Sequence, residues 1–511
     1  MKLTHEQEKV IDYVKNISSP ENVALIALAG AGKTSTLKAI AETLKDKKIL
    51  YLVFSKDMKK EAEKKFPQNT EVFTINSLAY NCMELKYEPL SKYDIHIVMD
   101  NVFCSELEAK SVIKEIEEFC LSDEKEMNRY EYSDYARKFW DKISNGEIYH
   151  THASYMKYFV TNFDKFIQKL DYDLLLVDES QDLNPIALTL TQKLAMPRIF
   201  VGDPNQNIFG FNNSVNVFEI LNFNKVLHLT QSFRCSKQIA DIANAILAFK
   251  GENLQMQSSI EHKKPTNQAF ITRTNSKIVD ILYKYLENYD LNNLDNVRIP
   301  TLKKSIKEIF DAPITIRNLI KFAENGDEPY IRDKNLFWLK RAIIDKQMDK
   351  KEFQSFCLSC GDSEVRQAYL LLVSTYKKSM SLSQLELALK KLQQKHANMP
   401  NTFLLTAHSS KGLEFDKVII CDDFPDLKEL RSDYNKTFAD SQFGRNLDVK
   451  EKAMSKLDDS QESYVSESNL YYVAVTRAKD ELVDKSKNEE IFFSQTQEYK
   501  IAQEETNAPK L

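Results

Sequence analysis

Five short apolar runs, each followed at once by polar, acidic or glycine residues, constrain the fold of this chain more than any other feature. The runs are VALIAL (23–28), ILYLVF (49–54), LLLV (174–177), RIFV (198–201) and KVIIC (417–421). Nearly continuous apolar character is typical of strands that are buried on both faces of a parallel sheet. Since ligands of such sheets bind beyond the carboxyl ends of the strands, the residues that follow these runs are candidate site residues.

The composition narrows the class of protein. A length of 511 residues predicts two or more domains, and 42% hydrophobic with 28% charged residues is typical of a globular protein. The net charge of −5 means that nucleic-acid binding would depend on a local groove rather than on a generally basic surface. No apolar run is long enough to span a membrane, and the N-terminus MKLTHEQEKV lacks the apolar core of a secretion signal. We therefore expect an intracellular protein, cytoplasmic or nucleoid-associated, with no membrane partner.

Two long stretches without strand pattern interrupt the apolar runs. They are rich in Glu, Lys, Leu and Tyr, with helical spacing such as LSQLELALKKLQQKH. We interpret them as mainly helical insertions into two α/β domains. The predicted division is a first α/β domain at 1–80 and 171–231 with insertion 81–170, a second at 232–285 and 398–490 with insertion 286–397, and a polar tail at 491–511.

The segment ALAGAGKTSTL follows the first apolar run and opens a helical pattern. Residues 27–34 fit the P-loop pattern, except that Ala27 replaces the first glycine. In a P-loop, backbone N–H groups surround the phosphates, the lysine contacts the β- and γ-oxygens, and the hydroxyl contacts Mg²⁺. The predicted ATP-binding residues are Ala29, Gly30, Ala31, Gly32, Lys33, Thr34 and Ser35.

The segment LLLVDESQD supplies an acidic pair at the end of another apolar run. We assign Asp178, with Thr34, to the Mg²⁺ that accompanies ATP, and Glu179 to the base that orients the attacking water. An acidic pair after a strand is also common at a helix N-terminus, but beside a P-loop it favours an ATPase. The sequence therefore predicts ATP and Mg²⁺ as cofactors.

Ten blocks in this order resemble superfamily 1A DNA helicases of the UvrD/Rep/PcrA type, and especially the helicase portion of the F-box DNA helicase family. They span residues 3–482 and read LTHEQEKVI, ALAGAGKTSTL, YLVFSKDMKKEAEKKFP, TINSLAY, LLLVDESQDLNP, FVGDPNQNIFGF, LTQSFRCS, TRTN, TAHSSKGLEFDKVII and NLYYVAVTRAKDEL. The resemblance implies an α/β fold with two RecA-like P-loop NTPase domains, parallel sheets flanked by helices, and ATP between them. It also implies single-stranded DNA crossing both domains and 3′→5′ translocation.

The resemblance assigns further residues to the ATP site. Gln7 matches the adenine reader, and Phe233, in place of the usual tyrosine, matches the residue that stacks on adenine. Arg234 and Arg477 match the two arginines that reach the γ-phosphate, where a fork of donors suits phosphate oxygens. Glu414, beside Gly412, matches the acid near the ribose.

The remaining matched residues are expected to contact the γ-phosphate or the DNA. In FVGDPNQNIFGF, Gln206 matches the residue that contacts the γ-phosphate and its water, and Phe211 matches a base-stacking aromatic. One turn would then link hydrolysis to movement, although Phe211 is also compatible with an ordinary core position. The remaining DNA-side residues by resemblance are Phe54, Ser55, Lys56, Asn76 (where the family usually has histidine) and His408. HTHASYMKYF (150–159) fits a DNA-side helix and amphipathic packing equally well.

The function predicted is an ATP-dependent 3′→5′ single-stranded DNA translocase or helicase. Its expected substrates are single strands and single-strand/duplex junctions, with recombination or repair proteins as further partners. Two alternatives are a motor that strips proteins from single strands and a DNA-gated ATPase that signals to a nuclease in a defence system. Asn212 and Asn213 replace the usual Arg-Gly. Since the chain begins at the adenine-reading block, we expect no F-box and no F-box-mediated partner.

Overall fold

The computed structural model forms two compact units, unit 1 (Met1–Phe233) and unit 2 (Arg234–Leu511). Each unit is described by itself below, and the finer division into domains and insertions stays a prediction. The structure describes residues 3–17, 20–85, 87–166, 170–208, 214–261, 263–287, 289, 297–376, 381–395, 399–443 and 447–493. Most of the predicted polar tail therefore lies outside the described residues.

In the described part of unit 1, a six-stranded parallel sheet has the order β3-β2-β4-β5-β1-β6. Four of the five apolar runs form its central strands, as predicted. The sequence analysis missed the two edge strands, β3 and β6, because their residues alternate with exposed polar side chains. The strands are β1 (Asn22–Ala27), β2 (Ile49–Val53), β3 (Thr70–Thr74), β4 (Leu174–Val177), β5 (Arg198–Gly202) and β6 (Lys225–Leu229).

Helices flank this sheet, and many begin at a serine, threonine or aspartate whose side chain caps the first backbone N–H groups. Helix α1, for instance, begins at a capping box formed by Thr4 and Gln7. Helices α5 to α7 pack around a small apolar core of their own that includes Val112 and Phe139. The helices are α1 (His5–Lys15), α2 (Lys33–Thr43), α3 (Lys56–Lys65), α4 (Ile75–Met83), α5 (Ile95–Val102), α6 (Glu106–Leu121), α7 (Asp134–Ser144), α8 (His152–Thr161), α9 (Pro185–Lys193) and α10 (Val217–Ile220).

In the described part of unit 2, a five-stranded parallel sheet has the order β11-β10-β7-β9-β8. The apolar run KVIIC falls in β10, as predicted. The other strands carry polar or charged residues, as in AKDELVD, and were not recognised. The strands are β7 (Gln268–Thr272), β8 (Pro300–Leu302), β9 (Met399–Thr406), β10 (Phe415–Ile420) and β11 (Ala478–Asp484).

The helices of unit 2 cover this sheet and build a second apolar core. Helices α13 to α16 bury Leu339, Phe353 and Cys357 in a cluster of their own. The polar segment that precedes the last motif block forms the long helices α19 and α20. The helices are α11 (Lys237–Lys250), α12 (Asn275–Leu286), α13 (Ile306–Asn325), α14 (Phe337–Asp345), α15 (Lys350–Ser359), α16 (Ser363–Tyr376), α17 (Leu382–Lys395), α18 (Ala407–Ser410), α19 (Leu427–Phe443), α20 (Leu447–Val475) and α21 (Glu490–Phe493).

The fold class predicted from the sequence, two parallel sheets flanked by helices, is confirmed. In the part of the chain that the structure describes, no helix is both long and apolar enough to traverse a lipid bilayer.

Candidate functional site

The loop between β1 and α2 has the backbone geometry of a phosphate cradle. Gly30 and Gly32 have φ of 74° and 79°, a left-handed conformation that glycine adopts without a steric penalty. Gly32 is the N-cap of α2, so it has no side chain that could occupy the first N–H groups of the helix. Thr34 and Ser35 follow in the exposed first turn. The loop can therefore present several N–H groups and the positive end of the helix dipole to an anion.

Lys33 and the acidic pair after β4 form one charged cluster. The Lys33 Nζ lies 2.9 Å from Glu179 Oε1, and the two side chains are 17% and 21% exposed. Burial lowers the pKa of Lys33, but the carboxylates of Glu179, Asp178 and Asp203 outweigh this effect and raise it. Burial, with the charge of Glu179, raises the pKa of Asp178. The lysine is thus held charged among carboxylates, where it can exchange its partner for phosphate oxygens.

Tyr51 holds Asp178 in place, a role that the sequence analysis missed. Its hydroxyl donates a hydrogen bond of 2.7 Å to Asp178 Oδ2. The other carboxylate oxygen accepts from the backbone N–H of Glu179 at 2.9 Å. Burial and the neighbouring Asp178 raise the pKa of Tyr51 well above its usual value, so the hydroxyl remains a donor. Asp178 is therefore fixed in orientation, as a carboxylate that binds a metal ion must be.

Glu179 has an unusual backbone conformation, with φ of 47° and ψ of 43°. A residue with a side chain occupies this left-handed region at a cost of order 1–3 kcal/mol, and such residues concentrate at functional sites. The conformation lies between β4 and a short 3₁₀ helix, Ser180–Asp182. The chain therefore turns at Glu179, directly after the end of β4, where the acidic pair lies.

Gln7, Gly32 and Phe233 lie close together beside the P-loop. A Cβ added to Gly32 would lie 3.3 Å from Gln7 Nε2 and 3.4 Å from the Phe233 ring, so a side chain there would be tightly packed as well as strained by the positive φ. The Gln7 amide donates to Thr36 Oγ1 and accepts from the backbone N–H of Thr4. An amide has a second donor and a second acceptor position, which matches the edge of an adenine. The Phe233 ring is 45% exposed.

The turn after β5 carries Gln206 in a buried position. Its Nε2 donates a hydrogen bond of 2.7 Å to Asp203 Oδ2, and both residues are at most 6% exposed. Gln206 thus lies in the same unit as the P-loop cluster, and Asp203 adds to the negative charge around Lys33. Phe211, with Asn212 and Asn213, lies outside the described residues.

A groove of about 930 Å³ crosses another face of unit 1. Three of the predicted DNA-side residues, Phe54, Lys56 and Asn76, line it. The Phe54 ring is 46% exposed. Ser55 has a structural role as well, because its hydroxyl accepts from Met58 N and caps α3. The groove thus brings together an aromatic ring, a lysine and an amide from the ends of two neighbouring strands.

Helix α8, which contains most of HTHASYMKYF, serves both interpretations of that segment. His152, Tyr155 and Met156 line the groove, whereas Phe159 is fully buried in the apolar core. The amphipathic pattern therefore reflects packing on one side of the helix and a groove wall on the other.

Unit 2 brings together Arg234, Glu414 and Arg477. Arg234 Nε donates to Glu414 Oε2 at 2.9 Å. Arg477 binds both neighbours of Glu414 in the chain, because its Nη1 donates to Leu413 O at 3.2 Å and its carbonyl accepts from Phe415 N at 2.9 Å. The Arg477 side chain is 1% exposed. Gly412, with φ of 82°, forms the turn that precedes this cluster.

His408 follows β9 and is held neutral. Burial and the nearby cations Arg273, Lys304 and Lys411 lower the pKa of His408 to about 3. Any contact of this side chain with a nucleic acid would then depend on ring stacking or hydrogen bonding rather than on charge.

Two known domain families match this chain. Residues 10–212 match an AAA domain, and residues 374–487 match the UvrD-like helicase C-terminal domain. The first match contains Lys33 and the acidic pair, and the second contains Glu414 and Arg477. The chain is therefore similar to UvrD-like helicases in its C-terminal part and to AAA domains in its N-terminal part. Domains of these two kinds imply that the chain uses a nucleotide.

Three relatives extend the similarity. The chain is 25% identical to F-box DNA helicase 1 of Gallus gallus over 94% of its length and 48% of the relative. It is 26% identical to F-box DNA helicase protein 1 of Schizosaccharomyces pombe, over 94% of its length and 57% of the relative. It is 23% identical to the Gabija protein GajB of Bacillus cereus, over 60% of its length and 61% of the relative. The chain thus spans about half the length of the two F-box helicases.

Most of the described site residues lie in three clusters. Unit 1 contains the P-loop cluster, which Gln7 and Phe233 border, and the groove with Phe54, Lys56 and Asn76. Unit 2 contains the arginine–glutamate cluster.

Proposed function

We propose that this chain is an ATP-dependent helicase of the UvrD-like kind, which hydrolyses ATP to move 3′→5′ along single-stranded DNA, in repair, recombination or replication. The observation that carries the proposal concerns the segment that follows β4. Its first part supplies Glu179, which pairs with Lys33 of the P-loop at 2.9 Å. Only a few residues later, Asp182 and Asn184 line the groove that contains Phe54. A single short segment thus contacts both the candidate ATP site and the candidate DNA site.

On the ATP side, each residue has a role that suits its chemistry. The N–H groups from Gly30 to Lys33 would surround the phosphates, and Lys33 would leave Glu179 to bind their oxygens. Glu179, once released, would orient the attacking water. Thr34 and Asp178 fit a Mg²⁺ site, since they offer a hydroxyl and a carboxylate fixed by Tyr51. When bound, Mg²⁺ neutralises charge on the phosphate oxygens.

Arg234 and Arg477 are proposed to stabilise the charge that develops on the γ-phosphate. Such an arginine accounts for roughly 10³–10⁵ in rate in other phosphoryl-transfer enzymes. Glu414 would hold Arg234 in position until phosphate is available, because the two side chains already form an ion pair of 2.9 Å.

The two F-box relatives are named as DNA helicases, which supports DNA as the track. The groove offers a partly exposed aromatic ring and a lysine, which suit a base and a phosphate. Stacking on an aromatic ring tolerates any base, as a motor requires.

Polarity is tested with oligonucleotides that carry streptavidin on a biotin at one end. With ATP and Mg²⁺, we expect streptavidin to be displaced from the 5′ end and to stay on the 3′ end. This assay reports movement even if the chain strips proteins without separating a duplex. A parallel assay with 3′-tailed and 5′-tailed duplexes measures strand separation. Displacement from the 3′ end alone would contradict the proposed direction, and none from either end would contradict translocation.

Phe54→Ala is expected to weaken the binding of single-stranded DNA by roughly 5- to 100-fold, because one stacking contact contributes ~1–3 kcal/mol. Fluorescence anisotropy with a labelled oligonucleotide measures the affinity. Tyr130→Ala is the matched control, since Tyr130 is an aromatic residue of unit 1 that is 81% exposed and does not line the groove. Equal affinities for the Phe54 variant and the wild type would remove this residue from the DNA site.

A further inference from the structure

Gln181 is a buried side chain that joins Glu179 to the turn after β5. Its Nε2 donates a hydrogen bond of 2.5 Å to Glu179 Oε2, and its Oε1 accepts from Asp203 N at 3.2 Å. The side chain is 0% exposed. An uncharged primary amide is suited to this position, because it donates to a carboxylate and accepts from a backbone N–H at the same time.

The backbone of Gln181 binds the same turn. Its carbonyl oxygen accepts a hydrogen bond of 2.6 Å from Asn207 Nδ2. Within the turn, Asp203 accepts from Gln206 Nε2 at 2.7 Å. A continuous path of hydrogen bonds therefore runs from Glu179 through Gln181 and Asp203 to Gln206. Linked hydrogen bonds in a buried environment polarise and strengthen one another, so a change at one end of the path affects the bonds that follow.

The residues directly after Gln181 belong to the groove. Asp182, Leu183 and Asn184 line it together with Phe54. A change in the position of Glu179 would therefore be passed both to the Gln206 turn and to a wall of the groove.

We propose that Gln181 is a positioning residue that links the state of Glu179 to the Gln206 turn and to the groove. It holds Glu179 in its left-handed conformation ready for the water and transmits the movement of Glu179 when the nucleotide changes. The inference rests on the proposed function, because it concerns the coupling of ATP hydrolysis to DNA.

Gly202 provides an independent way to disturb this residue. A Cβ at Gly202 would lie 2.1 Å from Gln181 Oε1, a distance that requires the amide to move. Gly202→Ala therefore displaces the Gln181 side chain without changing its chemistry. If Gln181 is first shortened to alanine, the extra methyl group no longer meets the amide and keeps only its milder close contacts, with Phe218 Cε2 at 3.1 Å and Ser180 N at 3.2 Å.

The experiment compares Gln181→Met, Gln181→Ala, Gly202→Ala and the Gln181→Ala/Gly202→Ala double variant. In Gln181→Met, which keeps the length of the side chain, we expect the DNA-stimulated kcat to fall roughly 10- to 100-fold, as for other groups that orient a reacting residue. The KM for ATP and the affinity for a fluorescent ATP analogue should change less than about threefold, because the P-loop is intact. Gly202→Ala should reproduce this pattern. The double variant should lose no more than Gln181→Ala alone, which is the non-additivity expected of two changes at one contact.

Asn69→Ala is the control for a purely structural effect. Asn69 Nδ2 donates to the carbonyl oxygens of Ala41, Leu44 and Lys47 at 3.2, 2.8 and 3.1 Å, at the C-terminal end of α2, which is the end opposite the P-loop. Its loss should lower the melting temperature while kcat stays within about twofold, since ΔΔG values of distant, independent sites add.

Three results would overturn the inference. One is that Gln181→Met has the same kcat and the same stimulation by DNA as the wild type. Another is that Asn69→Ala and Gln181→Met have the same melting temperature and lose kcat to the same extent. A third is full additivity in the double variant. If DNA does not stimulate ATP hydrolysis by the wild type, the proposed function is contradicted, whatever the Gln181 variants do. The wild-type measurement alone therefore separates a failure of the proposed function from a failure of this inference.

Discussion

Lys33→Ala is expected to lower ATP turnover by roughly 10³-fold or more, the largest effect of any substitution considered, because it removes the cation that must stabilise the transferred phosphoryl group. Lys33 lies at the start of α2, and its ammonium group is within 2.9 Å of Glu179 Oε1. Alanine keeps the helix but leaves the phosphate cradle without a positive side chain. A coupled assay for phosphate release at saturating DNA measures the loss.

Lys38→Ala is the matched control for this substitution. Lys38 also lies on α2. Its side chain is 44% exposed and forms an ion pair with Glu42, near the C-terminal end of the helix. We expect turnover to stay at the wild-type level in this variant. Circular dichroism and thermal unfolding should show both variants folded. Turnover by the Lys33 variant close to that of the wild type would exclude the P-loop as the site of hydrolysis.

Glu179→Gln is expected to lower turnover by roughly 10²–10³-fold, while the affinity for ATP is kept or increased. The substitution preserves the shape of the side chain, so it removes the base without removing the contacts of the loop. It also removes one of the negative charges that surround Lys33, and this should favour the approach of the phosphates. Single-turnover hydrolysis and binding of a fluorescent ATP analogue measure the two quantities separately.

Glu42→Gln serves as the control for a change of charge in the same unit. Glu42 is 53% exposed and pairs with Lys38, so little change is expected. If Glu179→Gln weakened ATP binding and left the rate of hydrolysis of bound ATP unchanged, the assignment of Glu179 as the base would be wrong.

The buried strands of this protein could be predicted from the sequence because each is a continuous apolar run between polar residues. Strands that contain polar or charged residues could not be recognised in this way. β11 reads AKDELVD, yet its backbone pairs with β10, and the charged residues find partners such as the Lys479–Asp416 ion pair at 2.7 Å. The same limit applies to α19 and α20, whose largely polar sequence contains no long apolar run that would indicate a buried element.

The site was predicted more completely on its nucleotide side than elsewhere. Lys33 and Glu179 belong to short sequence motifs, and the spacing of residues in these motifs indicates their chemical roles. Tyr51 and Gln181 do not, because their partners are distant in sequence or depend on a turn that only the fold creates. Tyr51, for example, reaches Asp178 across the sheet from a strand more than a hundred residues earlier. A tyrosine inside an otherwise aliphatic buried strand was the one available signal, since a buried hydroxyl needs a partner.

The backbone strain at Glu179 could not be foreseen either. Nothing in the letters DESQ indicates a left-handed glutamate, and the conformation depends on the contacts of the loop with the turn after β5. Gly202 belongs to the block FVGDPNQNIFGF, but the reason for a glycine there depends on the position of the Gln181 amide, which the sequence does not give.

The central claim is that this chain couples ATP hydrolysis to a single strand of DNA, and its most direct test is the steady-state rate of ATP hydrolysis with and without single-stranded DNA. The purified chain, with ATP and Mg²⁺, should hydrolyse ATP several-fold faster when a single-stranded oligonucleotide is added, and Lys33→Ala should show no rate in either condition. Equal rates with and without the oligonucleotide, together with no measurable affinity for it, would contradict the account.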